Sequence, residues 1–177
     1  MTVIVGLCDK GKVYIGGDSA TTASHDITSL NQKKVFRNGD FLIGVTGSVR
    51  MLQLLRYSLV PPKHNPTHDI LTYLVNEFVK EVRACLKNGG CLETRDGIET
   101  GGKFLLGHGG RLFYMGSDFQ VSETMCGYRA IGSAEDLALG SLYTSEGLAP
   151  EGRVLKALGA AQKFNVTVRE PFYVEVL

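Results

Sequence analysis

No stretch of this sequence stays apolar for the roughly 18 residues that a membrane helix needs, so its hydropathy offers no spanning segment. The N-terminus lacks a basic n-region followed by an apolar h-region, and a secretory signal is not expected. An excess of one charge is missing too. Lys and Arg number 19 against 18 Asp and Glu, which leaves no basic footprint for nucleic acid. Cysteines are few: Cys8, Cys85, Cys91 and Cys126 have no CxxC spacing. They read as reduced thiols of a cytoplasmic protein, with a disulfide framework as the lesser alternative. The four histidines, His25, His64, His68 and His108, are scattered without metal-ligand spacing, so no metal is expected. No P-loop is present; no cofactor is expected, and any use of ATP would belong to a partner. Linkers, repeats and low-complexity segments are also lacking, and the 177 residues are expected to form one domain, 1–177.

What the chain does have is an ordered alternation of strand and helix patterns. Strands are predicted over 2–7 and 12–17, joined at Asp9-Lys10-Gly11, and over 34–37 and 41–45 around Asn38-Gly39-Asp40, a strong hairpin signal. A helix is predicted over 48–60, stopped by Pro61-Pro62. A second is predicted from Asn65 as cap and Pro66 as first residue, with Asp69 at the positive end of its dipole, to Asn88-Gly89-Gly90. Residues 91–102 read as a polar surface loop. Strands are then predicted over 103–106, 111–115 and 128–131, helices over 134–143 and 150–164, and a last strand over 172–176. Strands grouped with strands and helices with helices argue against a βαβ parallel sheet. The order fits an α+β fold in which two antiparallel sheets stack face to face with helices on both outer faces.

Thr2 directly follows Met1. With Met1 removed, Thr2 would carry a hydroxyl nucleophile and its own base, an α-amine of pKa roughly 7.7–8.0. Such a nucleophile needs a cation to lower its pKa, a carboxylate to hold that cation and a backbone N–H for the oxyanion. The sequence offers Asp18 in Gly16-Gly17-Asp18-Ser19, Lys34 in Lys33-Lys34-Val35-Phe36 and Gly44 in Ile43-Gly44-Val45-Thr46-Gly47. Each has a plainer reading alone: a turn former, a solvated charge, a close-packed glycine. Ser133, in Ala130-Ile131-Gly132-Ser133, reads as a helix N-cap or as a partner of the Thr2 amine.

Together these residues resemble the proteasome β-subunit family of N-terminal nucleophile hydrolases, and most closely the HslV-type peptidase of a two-part ATP-dependent protease. The resemblance spans nearly the whole chain. It implies a four-layer αββα sandwich and a threonine peptidase. Thr2 would be the nucleophile, Lys34 its activator, Asp18 the partner of Lys34, Gly44 the oxyanion donor and Ser133 the residue orienting the amine. It implies stacked homo-oligomeric rings, of six subunits as in HslV or seven as in proteasomes, fed unfolded protein by an AAA+ unfoldase ATPase. Residues near 41–46, Leu42 among them, would line an apolar specificity pocket. Two positions depart from the family pattern. An aspartate near the end of the last long helix aligns with Asn165, to which a supporting role falls, and a serine three residues on aligns with Val168. Two other functions fit the same sequence: a non-catalytic ring or assembly subunit, and an amidohydrolase acting on a small amide.

Overall fold

A computed structural model describes residues 2–23 and 26–177; Met1, whose removal the expected nucleophile would require, and His25 lie outside the described residues. The first sheet contains β1 (Val3–Asp9), β2 (Lys12–Gly17), β12 (Tyr128–Gly132) and β13 (Tyr173–Val176), in the order β12-β1-β2-β13. The second contains β5 (Val35–Asn38), β6 (Phe41–Val45), β9 (Phe104–His108), β10 (Arg111–Met115) and β11 (Val121–Glu123), in the order β11-β10-β9-β6-β5. Every pairing is antiparallel.

Alternation along the strands sends side chains to two different cores. Ile4, Val13, Ile15, Val35, Leu42, Leu105 and Leu112 meet between the sheets. The opposite face of the first sheet, with Val3, Val5 and Leu7, packs on α4 (Glu135–Thr144) and α5 (Pro150–Phe164). The opposite face of the second, with Phe41, Ile43 and Phe104, packs on α1 (Val49–Tyr57), α2 (Ile70–Tyr73), a π-helical turn (Leu74–Phe78) and α3 (Val79–Asn88). The architecture is therefore the expected four-layer αββα sandwich.

Several elements differ from expectation, among them β9, which runs on to His108, and β11, which was not predicted. Asn65 does not cap the second helix. Its Oδ1 accepts from the N–H and hydroxyl of Thr67, closing a local turn, and Asp69 is the cap, accepting from Thr72 N at 2.9 Å. Helix α1 ends at Tyr57, three residues short of 60, with Ser58 as C-cap. Residues 91–102 are not a loop throughout but carry a hairpin, β7 (Glu93–Arg95) and β8 (Ile98–Thr100). A further hairpin, β3 (Ala20–Ala23) and β4 (Asp26–Ser29), follows β2.

Candidate active site

The β1–β2 hairpin brings residues sixteen apart together. Its register sets Ile4 opposite Gly17, so the residue after β2 lies beside the start of β1. Asp18 is fully buried there. Its Oδ1 accepts from the Thr2 hydroxyl and from Val3 N at 3.1 Å, and its Oδ2 accepts from Ala20 N at 3.0 Å. Lys34 comes from the other sheet. It immediately precedes β5, and its carbonyl accepts from Val45 N at 3.0 Å. Its Nζ reaches Thr2 Oγ1 at 2.5 Å and Asp18 Oδ1 at 2.9 Å, and also donates to the carbonyl of Ala20. An ammonium has three donors, and all three are used.

The charge balance follows from burial. Removal from water pushes the Lys34 pKa below its usual 10.5, and the adjacent Asp18 carboxylate works in the opposite direction. The Thr2 hydroxyl gives its one proton to Asp18 and presents a lone pair to Lys34. This is a side chain held beside a cation that stabilises its deprotonated form.

Ser133 meets Thr2 at the carbonyl. Its N–H donates to Thr2 O at 2.9 Å and its hydroxyl lies 3.2 Å from the same oxygen. Gly132 permits this approach: its φ is +113°, and a Cβ there would collide with the Thr2 carbonyl oxygen. The N-cap reading of Ser133 fails, because the cap position of α4 is Ala134 and no side chain bonds there. Ser133 instead enters a polar chain. The Thr167 hydroxyl donates to Asn165 Oδ1 at 2.6 Å, so at 2.9 Å Ser133 Oγ donates to Thr167 Oγ1. Asn165 Nδ2 closes the loop on Ser133 O at 3.2 Å. Asn165, the C-cap of α5, is thus one residue removed from Thr2. Val168 is buried in the core beneath α4 and α5, and Thr167 supplies the hydroxyl that Val168 lacks.

The structure does not bring Gly44 to Thr2. It lies inside β6, opposite Val35 on one side and Leu105 on the other. The N–H groups of Val45 and Thr46 point to Lys34 O and Lys103 O in turn. By that alternation the Gly44 N–H points into the sheet, toward β9. A Cβ at Gly44 would meet Ile4 at 2.5 Å and Ile15 at 2.9 Å, so its role is to let the sheets approach. Leu42 is fully buried between the sheets and lines no pocket near Thr2. The glycine that does line the Thr2 cleft is Gly47, between β6 and the Ser48 cap of α1, with φ +104°. Its N–H has no acceptor among the described residues. The sequence displays Gly47 in the same run as Gly44; a glycine directly before a serine cap was the available signal.

The cleft is bounded by Thr2, Ala20, Thr21, Gln32, Lys34, Gly47, Ser48 and the aliphatic side chains of Leu30, Val45, Val49 and Leu52. Among the described residues no group of three His, Cys, Asp or Glu side chains could hold a metal ion, and all four cysteines are free. No helix among them is long and apolar enough to cross a membrane.

No protein-family model matches the sequence, and no curated protein matches it. Solved structures do match the fold. BPH from Thiobacillus denitrificans superposes with a TM-score of 0.85 at 22% identity, over 99% of this chain and 97% of that one; the same protein has been solved in complex with epoxomicin. Eukaryotic HslV from Trypanosoma brucei gives a TM-score of 0.70 at 20% identity over 99% of both chains. Anbu, an ancestral beta-subunit, from Yersinia bercovieri gives 0.68 at 17% identity, over 99% of this chain and 81% of that one. The fold is that of these proteasome-like proteins, as the resemblance in the sequence implied.

Proposed function

We propose that the chain is a threonine peptidase of the proteasome-like N-terminal nucleophile hydrolases, and that 1–177 is its peptidase domain. One observation carries the reading: the Thr2 hydroxyl sits 2.5 Å from a buried lysine ammonium that Asp18 holds in place. A structural threonine has no need of a buried cation, which is costly to desolvate.

The chemistry runs as acyl transfer. While Met1 is attached, the Thr2 nitrogen is an amide and cannot act as a base. Removal of Met1 frees an α-amine on the nucleophile's own residue. The amine takes the hydroxyl proton, Oγ1 attacks the scissile carbonyl, and Lys34 stabilises the developing alkoxide. The tetrahedral oxyanion takes the free N–H of Gly47, a donor of a kind worth about 10²–10³ in rate. Collapse expels the amine product, which leaves with the proton held by the Thr2 amine, and an ester to Thr2 remains. Water, deprotonated by the same amine, hydrolyses that ester. Ser133, tied to Thr167 and Asn165, fixes the Thr2 backbone during both steps. We infer further that the chain works in the cytoplasm as stacked homo-oligomeric rings on unfolded protein, with an AAA+ unfoldase supplying it.

Epoxomicin, the ligand of the Thiobacillus structure, is the direct probe. Protein lacking Met1 is expected to gain the inhibitor's mass on the N-terminal peptide, and Thr2→Ala to gain none. Labelling of Thr2→Ala, or fluorogenic peptide turnover equal to wild type, would remove Thr2 as nucleophile. Wild-type protein that forms rings yet neither labels nor turns over would favour a non-catalytic subunit.

A further inference from the structure

Helix α3 ends in a turn that folds the chain back over the helix's own last residues. Gly90 N–H donates to Lys87 O at 3.1 Å, and Cys91 N–H donates to Leu86 O at 2.8 Å. Gly90 takes φ +70°, the left-handed conformation on which a Schellman turn pivots. The turn has a side-chain consequence, because the residue just past the glycine lies against the last full turn of the helix. Here that residue is Cys91, and Cys85 stands on the turn it covers.

The surroundings of the two thiols also put them together. Both are free and half-buried, and both pack on the core between the second sheet and its helices. Both face α1. Cys85 Sγ donates to Leu54 O at 3.6 Å, and Cys91 borders a groove that Met51 also lines. Met51 and Leu54 are neighbours on one face of that helix. Burial pushes the Cys85 thiol pKa up; Arg50 opposes the rise, and Cys91 adds to it, an influence that only a nearby group exerts. The two thiols differ in access. Cys91 opens on the groove, beside Ser48, Glu93 and Thr100, and Cys85 does not line it.

We propose that Cys85 and Cys91 are a redox-active pair that hydrogen peroxide converts to a reversible disulfide, with Cys91 attacking the peroxide and Cys85 resolving the product. The Cys91 thiolate attacks one peroxide oxygen, the O–O bond breaks, and the departing hydroxide takes up the thiol's proton as water. Cys85 then attacks the sulfenic sulfur. The S–O bond breaks, and the second oxygen leaves as water with the Cys85 proton. Two thiols give up one electron pair, and the peroxide accepts it. The order follows from access, since a reactive thiol must be reached by its oxidant. A disulfide needs Cα atoms about 4.4–6.8 Å apart, an approach that the Schellman turn favours. The bond would fasten the start of the β7–β8 hairpin to α3. Disulfides of cytoplasmic proteins are mostly transient or redox-sensing, and a pair beside a solvent-filled groove suits that use. Neither cysteine lines the Thr2 cleft, so the proposal stands apart from the peptidase reading.

The test treats the full chain with hydrogen peroxide, blocks the remaining thiols with iodoacetamide and digests with trypsin in the absence of reductant. Cleavage after Lys87 separates the two cysteines, so the disulfide is read by mass as peptide 84–87 joined to peptide 88–95. The joined species is expected to be absent before oxidation, to become the main form of both peptides after it, and to vanish with dithiothreitol. In a Cys126→Ser background, which removes the exposed one of the four thiols, the titratable count is expected to fall from three to one. Dimedone, which traps sulfenic acids, is expected to label Cys91 in Cys85→Ser and to leave Cys85 unlabelled in Cys91→Ser. Circular dichroism of the variants checks folding. Persistence of the separate, alkylated peptides after peroxide overturns the proposal, as does a disulfide from either cysteine to Cys8. Dimedone on Cys85 in Cys91→Ser, with none on Cys91 in Cys85→Ser, overturns the assignment of the attacking thiol.

Discussion

Lys34 makes the site's pH dependence predictable. It is buried, its pKa lies below the usual 10.5, and Asp18 is the group that keeps it from falling further. If the cation holds the Thr2 alkoxide, activity is lost as pH rises through that lowered value, so the alkaline limb of kcat/KM falls below pH 10.5. The acid limb belongs to the Thr2 amine, which must be unprotonated, and rises through about pH 7.7–8.0. Asp18→Asn removes the opposing influence and is expected to move the alkaline limb to lower pH while leaving the acid limb in place. The same substitution leaves a buried cation unpaired, a loss of about 3–5 kcal/mol in comparable sites, readable as a lower Tm. An alkaline limb unchanged in Asp18→Asn would separate Lys34 from catalysis. The Thr2, Asp18 and Lys34 set was legible in the sequence through the order and spacing of its motifs; hairpin register explains the approach of Asp18 to Thr2, while Lys34 arrives from the second sheet. The proposed oxyanion donor, Gly47, was not legible. Gly44 and Gly47 share one short run, and only the backbone direction distinguishes the strand glycine from the one at positive φ.

Strands and helices that bury one face announced themselves by periodicity; those that bury none did not. β1, β2, β6 and β9 are almost wholly buried and read correctly as strands. Every residue of β4 and of β7 is exposed, so their hairpins left no apolar alternation to read. The start of α2 was misread for another reason: Asn65-Pro66 and Asp69 are both good helix openings, and which one wins depends on where Ile70 and Tyr73 find a core. At this scale the element that matters most for the site is β12, whose last residue, Gly132, passes against the Thr2 carbonyl. Gly132→Ala would place a Cβ against backbone at φ +113°. Relief requires Thr2 to shift, and the strain is expected to cost about 1–3 kcal/mol. Thermal unfolding measures the cost, and epoxomicin labelling measures the shift. A variant that melts and labels like wild type would show that the Ser133 segment does not position Thr2.

The helix layer over the first sheet carries apolar side chains on both of its faces. Its inner face packs Val154, Ala157, Leu158 and Ala161 on the sheet. Its outer side also carries apolar residues, with Leu137 on α4, Tyr143 near its end, Leu148 in the connection and Leu155 on α5 all exposed. In the stacked rings proposed above, this outer layer is a candidate contact between chains. A stable contact of this kind buries about 800 Å² per partner, more than one helix turn supplies, so both α4 and α5 must contribute. Light scattering is therefore expected to give a mass many times the 19.2 kDa of one chain. Leu155→Asp, which places a carboxylate in the contact, is expected to yield smaller species with unchanged circular dichroism, because Leu155 is not part of the buried core. Peptide turnover by those smaller species would then report whether Thr2, Asp18 and Lys34, all supplied by one chain, suffice for the chemistry without the ring. A wild-type protein that runs as a monomer, or a Leu155→Asp variant that assembles fully, would take the outer helix layer out of the interface.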